Sequence, residues 1–238
     1  MITIIRSLVF QIGMFIFTVP FTFFAICSIF LSPINRNKFI SIWARSMLGW
    51  LKITCNLSFK VSGAKNIPKK PCVVFSKHQS AWETLALQII FPPQVWVLKR
   101  ELLWLPFFGW GLAMTSPIAI DRGAGRKALD QILKQGLDRI KKGFFVVIFP
   151  EGTRTKPMEK RKYHIGGAWL ATQSKLDVIP VAHNAGFYWP KNSFIKKPGQ
   201  IKITIGSPIK SHGLKAEELN GKAQDWIERA MLKLNVKF

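Results

Sequence analysis

An uncharged, apolar stretch near the amino terminus constrains this chain more than any other feature. Residues 7–35 contain no charged side chain, and residues 8–31 are almost continuously apolar. A helix over the 24 residues of the apolar run is roughly 36 Å long, and about 20 residues suffice to cross the hydrocarbon core of a bilayer. A domain of about 200 residues rarely buries a helix this long and apolar, so we expect a membrane-associated helical segment.

The path of this segment through lipid has two readings. Pro20, near its middle, could bend the helix into a hairpin that enters and leaves on one side, or the helix could span the bilayer. We favour the re-entrant or in-plane path, because Gln11, Thr18 and Thr22 weaken the apolar character. A cleaved signal peptide is disfavoured, since its apolar region normally has about 7–15 residues and no small-x-small cleavage site follows here.

Residues 37–55 follow with apolar side chains at helical spacing and cations among them. Trp43 and Trp50 lie in this segment together with Arg45 and Lys52. That combination is typical of an amphipathic helix at a membrane interface, and the alternative is a surface helix packed on a protein core. We favour the helix at the membrane interface, because the segment directly follows the apolar stretch.

The chain is strongly basic. Lys and Arg number 35 and Asp and Glu 12, a formal net charge of +23, and no acidic residue precedes Glu83. Such an excess suits nucleic acid, an anionic membrane surface or an acidic small substrate as partner. The positive charges after the apolar segment predict that the rest of the chain is cytoplasmic. The three cysteines lack C-x-x-C spacing, which disfavours a disulfide framework or a cysteine-based zinc site and indicates a reducing compartment.

After a membrane-associated part, residues 1–52, the chain alternates short β-type runs with helical ones over residues 53–238. The predicted strands cover residues 53–63, 72–76, 95–99, 117–121, 144–150, 177–182 and 200–206. The predicted helices cover residues 80–90, 126–142, 165–175 and 215–235. The pattern indicates a single α/β domain with a central, mostly buried mixed sheet flanked by helices.

His78 stands out among the four histidines by its position. It follows the predicted strand 72–76, and ligands of α/β proteins bind at the carboxyl ends of strands. Glu83 could not reach it along one continuous helix, but it could if the helix starts near Ser80 and the preceding loop folds back. A carboxylate on one ring nitrogen would prepare the other to take a proton from a hydroxyl. The competing interpretation is a capping box, in which Glu83 bonds only the N–H of Ser80.

A second candidate follows the most apolar strand, in the run FPEGTR at residues 149–154. Gly152 lets the backbone approach a ligand closely, and Arg154 carries a planar guanidinium suited to an oxyanion. The competing interpretation is a glycine turn followed by a solvated arginine.

Five sequence blocks, in this order, resemble those of the glycerolipid acyltransferases, most closely the bacterial 1-acyl-sn-glycerol-3-phosphate acyltransferases. They are the run at 78–83, similar to H-x-x-x-x-D, the K-x-E-L run from Lys99, the Asp-Arg pair at 121–122, FPEGTR at 149–154 and the apolar run around Pro180. The resemblance covers about residues 53–210. One position departs from the pattern, because the family has Asp where this chain has Glu83, whose side chain is longer by one methylene.

The resemblance implies a mechanism in which no acyl-enzyme forms. His78 would act as general base on the free sn-2 hydroxyl of lysophosphatidate, and Glu83 would orient its imidazole. The hydroxyl oxygen would then attack the thioester of acyl-ACP or acyl-CoA directly. The acceptor phosphate would be held by three cations and a shaped loop, namely Lys99, Arg122 and Arg154 with Glu151, Gly152 and Thr153. The aromatic-rich residues 102–114 would line an acyl-chain channel or contact lipid, unless they simply pack in the core.

The implied partners are lysophosphatidate, an acyl carrier protein or CoA thioester, and anionic lipids of the bacterial inner membrane, with the active site on its cytoplasmic side. No cofactor beyond the thioester and no metal is expected, since no His, Asp or Glu cluster has the spacing of metal ligands. The main alternative is an acceptor with another head group, such as a lyso-ornithine lipid or another lysophospholipid. Nucleic-acid binding is disfavoured by the apolar anchor and the scarcity of Tyr. A further alternative is a catalytically inactive scaffold at the membrane, because Glu83 departs from the Asp of the family pattern.

Overall fold

The computed structural model describes residues 1–234, apart from the side chain of Arg122. Within these residues the helices are α1 (Ile2–Cys27), α2 (Pro33–Cys55), α3 (Trp82–Ile90), α4 (Phe108–Met114), α5 (Arg126–Lys141), α6 (Gly166–Ser174) and α7 (Ala216–Leu234). The strands are β1 (Leu57–Ser62), β2 (Val73–Ser76), β3 (Gln94–Lys99), β4 (Ile118–Ile120), β5 (Phe145–Ile148), β6 (Val178–His183) and β7 (Gly199–Ile205).

These strands form one mixed sheet in the order β1-β7-β6-β2-β5-β3-β4. Each pair of neighbours is parallel except β6 and β7, which are antiparallel. Parallel neighbours need crossover connections, which explains the alternation of strands and helices along the chain. The predicted α/β domain with a central mixed sheet is confirmed.

The central strands are buried on both faces. Along β2, Val73 and Phe75 belong to one apolar cluster and Val74 to the other, and Phe145 and Val146 of β5 alternate in the same way. Because side chains alternate along a strand, a run that is apolar at every position serves two cores at once. Helices α1 to α3 contribute to one cluster and α5 to α7 to the other.

The amino-terminal segment forms two helices that pack against each other. Helix α1 continues through Pro20, and the chain turns instead at the short 3₁₀ helix Ser28–Phe30. The helical hairpin bent at Pro20 is therefore wrong, whereas the in-plane path did not depend on that bend. Helix α1 is packed against its neighbours on both sides of the proline. Before it, Gly13 lies so close to the indole of Trp50 that a Cβ there would overlap the ring, and after it the Thr22 hydroxyl donates to the carbonyl of Phe107 at 3.2 Å. The path of α1 through lipid stays a prediction.

The outer surface of α1 is apolar. In the described part of the chain, residues 2–30 are the one stretch long and apolar enough to cross a membrane. Phe15 and Phe24 are 69% and 61% exposed, and the ring of Phe23 contacts that of Phe107. The apolar surface of α1 therefore adjoins the exposed aromatic residues before and within α4, which is typical of a surface that contacts lipid or another apolar partner.

Helix α2 has one buried face and one exposed face. Ala44, Met47 and Leu51 lie in the same apolar cluster as Val74 of β2, whereas Ile53 is exposed. One face of α2 is thus part of the domain core, which agrees with the alternative prediction for residues 37–55, a surface helix packed on a protein core. The contact of α2 with a membrane interface and the division of the chain at residue 52 stay predictions.

The predicted strand 53–63 begins four residues too early, because α2 continues to Cys55 and β1 starts at Leu57. Ile53 and Thr54 favour a strand locally, but Leu51 and Cys55 are buried one helical turn apart, and this packing outweighs the local preference. Asn56 ends α2 in the left-handed conformation, with φ of 50°. Helix α4, with two glycines, was not predicted. The other strands and helices predicted within residues 53–238 lie within two residues of their expected bounds, and residue 235 is outside the described part. Helix α2 begins at Pro33, four residues before the predicted segment 37–55, and the apolar run 8–31 lies in α1 and the turn that follows it.

Candidate active site

Two loops meet at the carboxyl edge of the sheet because β2 and β5 are parallel neighbours. The chain leaves β2 at Ser76 and continues into His78, and it leaves β5 at Ile148 and continues into residues 149–155. Loops at the carboxyl ends of adjacent parallel strands form the usual ligand crevice of α/β proteins. The two stretches singled out in the sequence therefore come together.

His78 and Glu83 are in direct contact. Oε1 of Glu83 lies 2.8 Å from Nδ1 of His78 and also accepts the N–H groups of Gln79 and Ser80 at 2.8 and 2.9 Å. Helix α3 begins only at Trp82, so the loop before it folds back over the carboxylate. The cap-like bond to Ser80 and the bond to the imidazole therefore exist together. With its Nδ1 facing a carboxylate, the imidazole carries its proton there and keeps Nε2 as a proton acceptor.

The Glu83 carboxylate is fully buried. Burial alone would raise its pKa, but the neighbouring imidazoles of His183 and His78 and the N–H of Ser80 outweigh burial, so the pKa of Glu83 lies below its ordinary value. Glu83 therefore stays ionised at neutral pH and can stabilise an imidazolium at His78.

The loop after β5 holds the backbone of His78 on both sides. Oε1 of Glu151 accepts the N–H of His78 at 3.4 Å, and the N–H and hydroxyl of Thr155 both donate to its carbonyl, at 2.7 and 3.0 Å. The ring of Phe149 stacks on the imidazole with 4.0 Å between centroids. The imidazole is thus fixed in position as well as in tautomer.

A cavity of about 350 Å³ opens beside His78. Its wall is mostly apolar and comes from α1, α2, α3, α4 and β3, and its size is within the range of about 300–1,000 Å³ common for ligand pockets. Leu102, Phe108 and Leu112 of the aromatic-rich stretch line it, while Trp104 and Trp110 face outward. This stretch therefore forms part of the cavity wall and also part of the exposed surface.

Arg154 lines the same cavity as His78. In the part of the chain that the structure describes, no carboxylate pairs with its guanidinium. An unpaired guanidinium at the edge of an apolar cavity suits an anionic group on an otherwise apolar ligand.

Two loop residues named from the sequence lie next to this arginine. Gly152 has φ of 70°, and a Cβ there would come within 2.9 Å of the His164 ring, so a side chain fits neither the backbone nor the space. The hydroxyl of Thr153 lies 3.5 Å from Nζ of Lys191.

Glu151, Lys99 and Arg122 are placed differently. The Glu151 side chain is buried against Lys77 at 3.2 Å and does not line the cavity, and burial raises its pKa to about 7. Lys99 pairs with Glu101 at 3.3 Å on the surface and is also outside the cavity wall. The side chain of Arg122 lies outside the described residues. The functional roles of all three stay predictions.

Sequence reasoning missed several residues of this region. Thr155 and Lys77 hold the His78 loop, and Trp189 lines the cavity from a segment far along the chain. His183 is fully buried, donates from Nε2 to the carbonyl of Lys77 at 2.7 Å and has its pKa lowered by burial. None of these has a local sequence signature, because each depends on which strands become neighbours. Among the described residues, no group of three His, Cys, Asp or Glu side chains is arranged to hold a metal ion.

Comparisons with known proteins identify the family of this chain. The sequence model of the Acyltransferase family matches residues 58–184. A 1-acyl-sn-glycerol-3-phosphate acyltransferase of Pseudomonas aeruginosa is 44% identical over 216 residues, which cover 87% of this chain and 84% of the relative. A Saccharomyces cerevisiae protein of the same name is 29% identical over 85% of this chain and 69% of its own length.

A crystal structure of a 1-acyl-sn-glycerophosphate acyltransferase from Thermotoga maritima superposes with a TM-score of 0.81, covering 99% of this chain and 97% of that one. At 20% sequence identity this likeness concerns the fold alone.

Proposed function

The chain belongs to the Acyltransferase family, and we propose that it transfers a fatty acyl group from acyl-ACP or acyl-CoA to the sn-2 hydroxyl of 1-acyl-sn-glycerol-3-phosphate. The product is phosphatidate, so the reaction belongs to phospholipid synthesis. The name of the Pseudomonas relative, which is 44% identical over most of both chains, supports this choice of acceptor.

One observation carries the proposal: a histidine whose Nδ1 is bonded to a buried carboxylate borders an apolar cavity, and the same cavity is lined by an arginine that pairs with no carboxylate among the described residues. A lysophosphatidate molecule has three matching parts, namely a hydroxyl to be deprotonated, an acyl chain and a phosphate. His78 serves the first, the cavity the second and Arg154 the third.

In the proposed reaction, Nε2 of His78 takes the proton of the sn-2 hydroxyl as its oxygen attacks the thioester carbonyl carbon. The C–O bond forms, a tetrahedral intermediate collapses, and the C–S bond breaks. The departing sulfur takes the proton from the imidazolium, which returns His78 to its starting state. Glu83 stabilises the imidazolium in between, and no acyl-enzyme or cofactor beyond the thioester takes part.

Arg154 holds the acceptor phosphate through charge-assisted hydrogen bonds, with the Gly152–Thr153 backbone beside it. Lys99 ends β3 and Arg122 comes two residues after β4, and these strands are parallel neighbours, so the two cations belong to the same edge of the sheet and add positive charge near that phosphate. Their contribution is electrostatic attraction at longer range, which salt weakens.

The enzyme works at the cytoplasmic face of the bacterial inner membrane. Three features support this location: the apolar outer surface of α1, the exposed aromatic residues near α4, and a net charge of +23, which attracts anionic lipid. The cavity is walled partly by α1, so a substrate dissolved in the membrane can reach His78 along that helix.

The direct test is acyl transfer by the purified protein in vesicles that contain phosphatidylglycerol. Lysophosphatidate, lysophosphatidylethanolamine and a lyso-ornithine lipid are compared as acceptors, each with acyl-ACP and acyl-CoA. The proposal predicts that lysophosphatidate has the highest kcat/KM. A higher value for either other acceptor would reassign the substrate, and no transfer to any of the three would refute the activity.

A further inference from the structure

A buried cluster of three ionisable side chains lies next to the backbone of His78. Nζ of Lys77 is 2.7 Å from Oε1 of Glu228 and 3.2 Å from Oε1 of Glu151, and it donates to the carbonyl of Glu159 at 3.3 Å. We call Lys77, Glu151 and Glu228 the ion cluster. Its side chains are 1%, 0% and 15% exposed, so it is shielded from water.

The ion cluster joins three segments that are distant in sequence. Lys77 follows β2, Glu151 belongs to the loop after β5, and Glu228 lies on α7. Helix α7 is outside residues 58–184, the part matched by the family model. A carboxylate from the carboxyl-terminal helix therefore reaches the base of the active-site loops.

Burial of such a cluster needs an explanation other than stability. Removing charged groups from water is costly, and apolar residues of similar size often stabilise a fold as well or better. An ion cluster instead fixes the relative positions of its members, because a lysine bonded to two carboxylates and a carbonyl keeps all three bonds in only one arrangement.

The geometry of the ion cluster is transmitted to His78 by two short routes. Lys77 is the preceding residue in the chain, and the same Oε1 of Glu151 that faces Lys77 accepts the N–H of His78. If Lys77 is released, Glu151 loses its charge partner and the loop that also bonds the His78 carbonyl through Thr155 can shift.

We propose that Glu228 is a positioning residue for acyl transfer, which acts through Lys77 and Glu151 to fix the backbone of His78. The inference rests on the proposed function for its kinetic readout, but its structural readout is independent of activity.

The test compares Glu228→Gln with Asp225→Asn, which neutralises an exposed carboxylate on the same helix. Acyl transfer to lysophosphatidate is measured well below the unfolding midpoint of each variant, so that the folded fraction is the same. We expect kcat of Glu228→Gln to fall about 10- to 100-fold with KM for lysophosphatidate nearly unchanged, because small misplacements of a reacting group have effects of this size. Glu228→Asp, which keeps the charge, should recover part of kcat, and Asp225→Asn should match the wild type.

Hydrogen exchange supplies the readout that does not need catalysis. Glu228→Gln should speed exchange of the amides of residues 77–79 and 151–155, and Asp225→Asn should not. If Glu228→Gln does not fold, Glu228→Asp takes its place, with a smaller loss of kcat and a smaller loss of protection expected in the same segments.

The outcomes separate cleanly. A wild-type kcat together with unchanged exchange in those loops would overturn the positioning role, even if the variant is less stable. A wild-type protein without any transfer to lysophosphatidate would refute the proposed function, and the exchange data would still decide whether Glu228 orders the His78 loop.

Discussion

Replacement of Glu83 by Gln isolates the charge behind His78. The amide oxygen of Gln can still accept the N–H groups of Gln79 and Ser80, and the amide nitrogen takes the place of Oε2, which in the described structure has no hydrogen-bond partner. The substitution therefore preserves the loop but removes the negative charge that stabilises an imidazolium.

The magnitude follows from the bond that changes. A hydrogen bond to a charged group contributes about 1.5–3 kcal/mol, and about 1.4 kcal/mol corresponds to a tenfold change in rate. Since Glu83 is fully buried and lies 2.8 Å from Nδ1 of His78, little solvent screening applies. We expect Glu83→Gln to lower kcat about 10- to 150-fold, with KM for lysophosphatidate changed less than threefold.

The assay is steady-state acyl transfer in vesicles, with Glu217→Gln, an exposed carboxylate on α7, as the control. Glu83→Asp is measured in parallel, because it keeps the charge but shortens the side chain, and its rate should lie between those of the wild type and Glu83→Gln. A folded Glu83→Gln enzyme with a kcat within threefold of the wild type would refute the assignment of Glu83 as the charge partner of His78.

Three further predictions concern the phosphate site, the buried glutamate and the lipid surface. Arg154→Ala should raise KM for lysophosphatidate about 10- to 150-fold, whereas Arg161→Ala, on the same loop, should not; a change confined to KM for the acyl donor would contradict the assignment. Because the folded state raises the pKa of Glu151 from 4.5 to about 7, its contribution to stability is fullest below pH 4.5 and is lost as the pH rises through 7. Relative to the wild type, Glu151→Gln should therefore gain about 3 kcal/mol of unfolding free energy between pH 4.5 and 8 by urea titration, and parallel curves would disprove this. Replacing both Phe15 and Phe24 by Asp should lower vesicle binding at least about tenfold in flotation, unlike Leu232→Asp on α7, and equal flotation of the two variants would argue against α1 as the anchor.

Local patterns in the sequence were sufficient for most elements of the sheet. The run at 144–149 is apolar on both faces, and the strand it predicts lies inside the sheet, next to the central strand β2 and between two cores. The contact of His78 with Glu83 could also be predicted from the sequence. The two residues are five positions apart, so they can meet only if the loop before the helix folds back.

Contacts between segments that are distant in sequence could not be predicted from local patterns. Helix α2 extends over residues with strand preference because its buried face packs on α1 and α3, and helix α4 forms despite two glycines because it packs on α1. The pairing of Lys77 with Glu228 joins residues 151 positions apart, and no local pattern marks it. The position of the Glu151 side chain depends on a distant contact in the same way, since nothing in the run FPEGTR indicates that its carboxylate lies against Lys77 and outside the cavity wall. Its role at the phosphate stays a prediction.

General-base catalysis by His78 is tested most directly by the turnover of His78→Ala with lysophosphatidate, measured beside His212→Ala, whose histidine is exposed. We expect His78→Ala to lower kcat by about 10²- to 10⁴-fold, the usual contribution of a general base, while His212→Ala keeps the wild-type rate. A folded His78→Ala protein that still turns over lysophosphatidate within a few-fold of the wild type would show that this imidazole does not deprotonate the acceptor hydroxyl.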